Sequence, residues 1–339
     1  MRRSLIAFIL IITILLVACG EETEQANEKN SNQNNIDDSE MTGTVVTSIY
    51  PLEYIVSEIA GDTITVETVI PPGADAHTYE PSTKDMIDMS NHDAFFYVGN
   101  GLEVFADTLA STVKGEGVET YSLANQADNL FADNASDDQA EQNHEDNHGD
   151  DDNHHHEDGH DHENGELDLH FWLDPARMTQ AGDLILAQLK DMYPDHAETF
   201  ETNFESFSKK MKELDQSFQS TLSNQSVDIL VAHEAFGYWE REYGIEQHGI
   251  RGLSSSQDPS QKELQELFGT LEERNLNHVI LEKNRNDSLA RTIADEFDLT
   301  VYELHSLETI TEDNIEQGAD YVDIMENNLE VLKDTINQD

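Results

Sequence analysis

"DHAETFETNFESFSKKMKELDQSFQSTL", residues 195–222, sets Phe200, Phe204, Phe207, Met211, Leu214 and Phe218 three or four positions apart. That spacing lines one face of an α-helix with apolar side chains and leaves the acids, lysines and amides on the other. At 1.5 Å per residue such a helix is about 40 Å long. It is long enough to span two lobes rather than lie on one, so the segment reads as a connector. The chain on either side of it then decides the fold class.

Upstream, "TVVTSI" (44–49) is a β-branched strand followed by a helix that ends at Gly61. "TITVETVIP" (63–71) is a second strand, closed by Pro71-Pro72-Gly73. A helix opens at Ser82 with Asp85 in capping-box spacing, "AFFYVG" (94–99) is a short buried-type strand, and "EVFADTLAST" (103–112) is another helix. After "VETYSL" the pattern stops, and residues 125–166 hold acids, Asn, Gly and His with few apolar side chains. Such a stretch reads as a disordered insertion. Order resumes at "LDLHFWLDP" (167–175), where Asp174 is a helix cap and Pro175 occupies the first turn. Downstream of the connector, strands "VDILVA" (227–232), "HVILE" (278–282) and "TVYELH" (300–305) again alternate with helices, the last being "DYVDIMENNLEVLKDTI" (320–336). Alternation of this kind implies parallel pairing. The expected fold is α/β: two α/β lobes, each with a central sheet, joined by one long helix.

The N-terminus points to export. Met1-Arg2-Arg3 precedes an uncharged apolar run from Leu5 to Ala18, shorter than the ~20 residues of a membrane-spanning helix and suited to a signal peptide. The run ends in "LLVACG", and Cys19 is the single cysteine, which leaves no intrachain disulfide or thiolate cluster to form. Cys19 therefore reads as a lipidation site, with several acyl chains giving a stable anchor. The expected divisions are a signal peptide over 1–18, a lipidated flexible tether over 19–42, an N-terminal lobe over 43–194, the connecting helix over 195–224 and a C-terminal lobe over 225–339. With 18 Lys+Arg against 71 Asp+Glu, a formal net charge of −53, the chain is no nucleic-acid binder. The acidity suits salt adaptation or attraction of cations.

Four metal-ligand side chains stand where a strand has just ended or a helix is about to begin. They are His77 after the second strand, His170 before the helix capped by Asp174, His233 after "VDILVA", and Glu308 after "TVYELHSL". Ligands of open α/β sheets bind beyond the carboxyl ends of strands, so a metal held by all four would lie in the cleft between lobes. Three imidazoles and a carboxylate suit tetrahedral Zn2+, whereas manganese prefers more oxygen. His305, Glu303 and Glu282 are rivals of Glu308 for the fourth position. The histidines of the insertion (His144, His148, His154, His155, His156, His160 and His162) sit in a segment without fixed geometry and read as a weak zinc antenna or as a solvated tract.

"PPGADAHTYEPS" (71–82), "LHFWLDP" (169–175), "VAHEAFGYWEREYGI" (231–245) and "LHSLE" (304–308) resemble, in order, the ligand-bearing segments of zinc-specific solute-binding lipoproteins of bacterial ABC importers, the ZnuA/AdcA type of cluster A-I. The resemblance runs from Thr44 to the C-terminus and includes the long helix and the His-rich loop. It implies His77, His170 and His233 as ligands with Glu308 fourth, and Leu169 stands where the family typically has proline. It further implies that the protein binds Zn2+ as cargo and is no enzyme. Its partners would be a permease and its ATPase, and its place, as a monomer, the outer face of the cell membrane. Manganese-binding relatives carry a carboxylate where this chain has His233. Two other readings compete. A secreted zinc hydrolase would keep a coordination position open for water, and "HEAFG" is not the helical HExxH arrangement. An adhesin would leave growth under zinc limitation intact when deleted.

Overall fold

The strands on either side of the connector pair as two separate parallel sheets. The structure, a computed structural model, describes residues 42–127, 129–131, 167–223, 225, 227–283 and 285–336. The signal peptide, Cys19, nearly all of the tether and the seven insertion histidines lie outside the described residues. In the N-terminal lobe the chain runs β1 (Gly43–Thr47), α1 (Tyr50–Ala60), β2 (Ile64–Thr68), α2 (Thr83–Met89), β3 (Ala94–Tyr97), α3 (Ala106–Lys114), β4 (Glu119–Ser122) and α4 (Leu123–Gln126). Its sheet has the order β2-β1-β3-β4, with Val45 opposite Val66 on one side and Ala94 on the other. Two long helices follow, α5 (Pro175–Met192) and α6 (Ala197–Leu222). The C-terminal lobe holds β5 (Val227–His233), α7 (Gly237–Tyr243), β6 (Ile245–Arg251), α8 (Gln261–Arg274), β7 (His278–Glu282), α9 (Ser288–Phe297) and β8 (Thr300–Leu304). Its sheet repeats the same order, β6-β5-β7-β8. Helices α10 (Glu312–Gln317) and α11 (Tyr321–Ile336) close the described chain.

Repetition of this order has a consequence for ligand binding. The first strand of each lobe is central, so its neighbours are reached by connections that leave in opposite directions. That divergence opens a crevice beyond the carboxyl ends of β1/β3 and of β5/β7.

Local chemistry explains the element starts. Ser82 with Asp85 and Ser260 with Glu263 both form reciprocal capping boxes, and Asp174 accepts from Ala176 N–H at 2.8 Å ahead of Pro175. Three features depart from the sequence reading. Strand β6 was not expected, because "IEQHGIR" lies at a sheet edge and buries only Ile245 and Ile250, so no apolar run marks it. The short α10 was likewise unmarked. The described residues at the expected start of the insertion are structured: α4 reaches Gln126, and Leu130 and Phe131 are buried. Phe131 meets the Phe171 ring edge-on at 5.8 Å, and the Leu130 carbonyl accepts from Arg177. Two apolar residues among acids are too few to show a period.

The connector behaves as its pattern requires. Phe200, Phe207, Met211, Leu214, Phe218 and Leu222 of α6 are buried. Its N-terminal half packs on α5 and α1, and at its other end Phe218 meets Trp239 at 5.6 Å and Tyr243 at 5.2 Å. Helix α11 also crosses between lobes: Tyr321 stacks on Tyr54 of α1 at 5.2 Å and donates to the Trp172 carbonyl at 2.5 Å. One apolar core therefore runs through both lobes, with a smaller one on the far face of the second sheet.

Gly182 sets how closely α5 and α6 approach. A Cβ there would lie 2.8 Å from the Phe207 ring and 3.0 Å from that of Phe204. Gly182→Val is expected to destabilise the metal-free protein by about 1–3 kcal/mol, the usual cost of overpacking a tight contact. Denaturant unfolding measures it, and an unchanged midpoint would mean that the helices separate without penalty.

Candidate metal centre

His77, His170, His233 and Glu308 come together, all four buried, with one ligand atom from each lying within 4.8 Å of the others. Each is delivered by a different local device. Pro71-Pro72-Gly73 turns the chain after β2, with Gly73 at φ +75 donating to the Ile310 carbonyl at 2.9 Å. Asp75 then accepts the His77 N–H at 2.8 Å, an Asx turn that swings the imidazole inward. The same device recurs at the second histidine, where Asp168 Oδ1 accepts from His170 N–H at 3.0 Å and holds His170 Nδ1 at 2.9 Å. His233 is the last residue of β5. Its partner Glu282 is the last residue of β7, and the register Val231 opposite Ile280 brings them side by side, with Nδ1 2.6 Å from Glu282 Oε1. Glu308 follows Leu307, a buried residue held at φ +63. Leu307 N–H donates to His305 Nδ1 at 2.9 Å, and the Glu308 carbonyl accepts from Tyr50 N–H at 3.2 Å.

The arrangement leaves four polar atoms facing one another. Nε2 of His77, His170 and His233 and Oε1 of Glu308 are buried without a hydrogen-bond partner. Glu308 Oε1 lies 3.5 Å from His77 Nε2 and 3.7 Å from His233 Nε2. Those spacings are long for hydrogen bonds but near the ~3.3 Å edge of a tetrahedron with 2.0–2.1 Å bonds to zinc. Unpartnered polar atoms of this kind are costly to bury, and a metal cation that accepts the lone pairs of three neutral imidazoles and a carboxylate satisfies all four. The cluster can hold a metal ion.

The neighbouring carboxylates set the charge of the metal-free cluster. Burial alone would lower the His233 imidazole, but Glu282, with Glu308 and Asp168 beyond it, holds it up to about 9. Burial likewise pushes Glu308 upward, yet His77, His233 and Arg285 keep its carboxyl well below the ordinary carboxylate range. Carboxylates on Nδ1 of His170 and His233 orient those rings and make them better donors.

The three rivals of Glu308 have other work. Glu282 holds His233, Glu303 lies 3.8 Å from Arg291 on an outer face, and His305 braces the Leu307 turn. Burial and the nearby Lys283 push His305 down to about 4, so it stays neutral and accepts the Leu307 N–H. The aromatic residues around the site pack, as their composition suggests, and their polar ends also tie the His170 segment to its surroundings. Trp172 donates to Ser306 O at 2.8 Å, Trp239 to Leu173 O at 2.7 Å and Tyr238 to Asp168 O at 2.7 Å. The roles of Asp75 and Asp168 could have been found in the sequence, because both stand two residues before a candidate histidine, in "DAH" and "DLH". That of Glu282 depends on strand register and could not.

Residues 45–335 match the family model described as "Zinc-uptake complex component A periplasmic". The chain belongs to this zinc-uptake component family. Among family members, the zinc-binding lipoprotein AdcA of Streptococcus pneumoniae is 30% identical over 341 residues, which cover 100% of this chain and 62% of that protein. The chain thus spans less than two thirds of AdcA. The high-affinity zinc uptake system protein ZnuA of Bacillus subtilis is 31% identical over 293 residues, 86% of this chain and 87% of its own length. The fold matches the crystal structure of the Zn(II)-bound ZnuA-like domain of S. pneumoniae AdcA with a TM-score of 0.66 at 29% identity, over 87% of this chain and 99% of that domain. Family membership accords with two parallel-sheet lobes and a buried cluster of three histidines and one glutamate.

Proposed function

We propose that the protein captures Zn2+ in the cleft between its lobes and delivers it to an ABC permease with its ATPase. His77, His170, His233 and Glu308 are the ligands in this reading. The observation that carries it is the convergence, within 4.8 Å of one another, of three buried Nε2 atoms and one buried carboxylate oxygen that have no hydrogen-bond partner. Three imidazoles favour zinc over manganese. Four protein donors leave no coordination position for a reactive water, so the site suits carriage and not hydrolysis. Export and lipidation of Cys19 would hold the monomer at the outer face of the membrane, where the acidic surface draws cations from solution.

Competitive titration of the metal-free protein with Zn2+ and Mn2+ tests the reading. One zinc is expected to bind tightly per chain and to resist a large excess of manganese. Equal competition by the two ions would overturn the zinc assignment.

A further inference from the structure

Arg285, in the loop between β7 and α9, takes no part in the coordination scheme, yet it touches the supports of two ligands. Its Nη1 donates to Glu282 Oε2 at 2.9 Å, and the other oxygen of Glu282 holds His233. Its Nη2 donates to Asp75 Oδ2 and, at 2.8 Å, to Ser255 Oγ. The remaining oxygen of Asp75 holds the His77 N–H. One guanidinium thus grips two carboxylates from opposite lobes, and each carboxylate orients a different histidine of the cluster. Beside it lies a cavity of about 300 Å³ with Asp75, Arg251, Arg285 and Asp287 in its walls, and it reaches His233 itself.

We propose that Arg285 is a positioning residue that latches the two lobes over the bound metal and slows its escape through this cavity. The inference rests on the zinc reading above. Separating the lobes on this side breaks the Arg285–Asp75 pair, because Asp75 moves with the loop after β2 and Arg285 with the loop after β7. Only arginine fits the position, since a planar fork of donors spans two carboxylates and the point charge of lysine does not. The side chains of Arg285 and Asp75 are 23% and 25% exposed, so dissolved salt reaches the pair and weakens it.

The test is the rate at which zinc passes from the loaded, full-length protein to an excess of a chromophoric chelator. Arg285→Gln and Asp75→Asn should each release zinc roughly tenfold faster, as loss of one partner of a charge pair raises the dissociation rate. Arg285→Lys should recover little of the difference. Release from the unaltered protein should quicken with added salt, and release from the variants should not. The double variant should be no faster than Arg285→Gln alone, because the contact that Asp75→Asn removes is already lost there. The cobalt-substituted variants should keep the spectrum of the unaltered protein, which separates a lost latch from a lost ligand. Release from both variants within about twofold of the unaltered protein, with the same salt response, would overturn the latch and leave the zinc reading standing. Absence of tight zinc binding by the unaltered protein would overturn both. If Arg285→Gln does not fold, Asp75→Asn decides alone from the other lobe.

Discussion

Replacing His233 with alanine is expected to abolish most of the rise in melting temperature that zinc produces. A ligand bound only by the native state stabilises it by RT ln(1 + [L]/Kd), about 4 kcal/mol at a thousandfold excess over Kd. For a chain of this size that is a shift of roughly 10 °C. His233 is central to the cluster: it stands 3.7 Å from Glu308 Oε1, its ring lies 5.9 Å from that of His77 and 5.4 Å from that of His170, and Glu282 fixes its orientation. The variant also leaves the Glu282 carboxylate buried with one partner fewer, so the metal-free protein melts lower as well. The quantity to compare is therefore the zinc-induced shift and not the melting temperature itself. Glu308→Ala should reduce the shift only in part, because three imidazoles and a water still complete a tetrahedron. The long α6 and the shared apolar core restrain closure, so zinc should change the radius of gyration little in scattering while raising the melting temperature greatly. An undiminished shift in His233→Ala would remove that residue from the site.

The sequence shows the scaffold more readily than the supports of the site. Helix α6 is legible because its apolar residues repeat at helical spacing over many turns, and the two lobes are legible because strands alternate with helices on both sides of it. The four cluster residues can be picked out because each follows a strand or precedes a capped helix, positions that the chain itself marks. What escapes the sequence is whatever depends on pairing across long separations. Glu282 looks like a rival ligand until the β5/β7 register sets it against Nδ1 of His233. Arg285 looks like one more loop charge until the lobes bring Asp75 to it. His305 is the other rival, and its Nδ1 is taken by the N–H of Leu307, whose left-handed backbone no glycine or asparagine announces. Edge strand β6 is missed for a different reason: only Ile245 and Ile250 of it are buried, so no apolar run marks it.

Zinc affinity should depend on pH well above the ordinary imidazole range near ~6.5, where composition alone would put the dependence. In the metal-free cleft Glu282, Glu308 and Asp168 outweigh burial and hold His233 protonated up to about 9. Zinc needs the bare Nε2, so binding at any pH below that value must expel this proton. Glu308 adds no such step at neutral pH, because His77, His233 and Arg285 keep it ionised against the pull of burial. Apparent affinity should rise about tenfold per unit between pH 7 and 8 and flatten above about 9, with at least one proton released per zinc. Stability of the metal-free protein should move the opposite way. A folded-state value raised above the unfolded one stabilises fully below about 6.5, and the gain is lost as pH rises through about 9. The metal-free protein should therefore lose melting temperature between pH 7 and 9.5 while the zinc-bound form does not, since its His233 carries no proton on Nε2 to lose. Calorimetric titration at pH 7.5 in buffers of different ionisation enthalpy counts the protons directly. A binding heat independent of the buffer, together with an affinity constant from pH 7 to 8, would mean that His233 is already bare before the metal arrives.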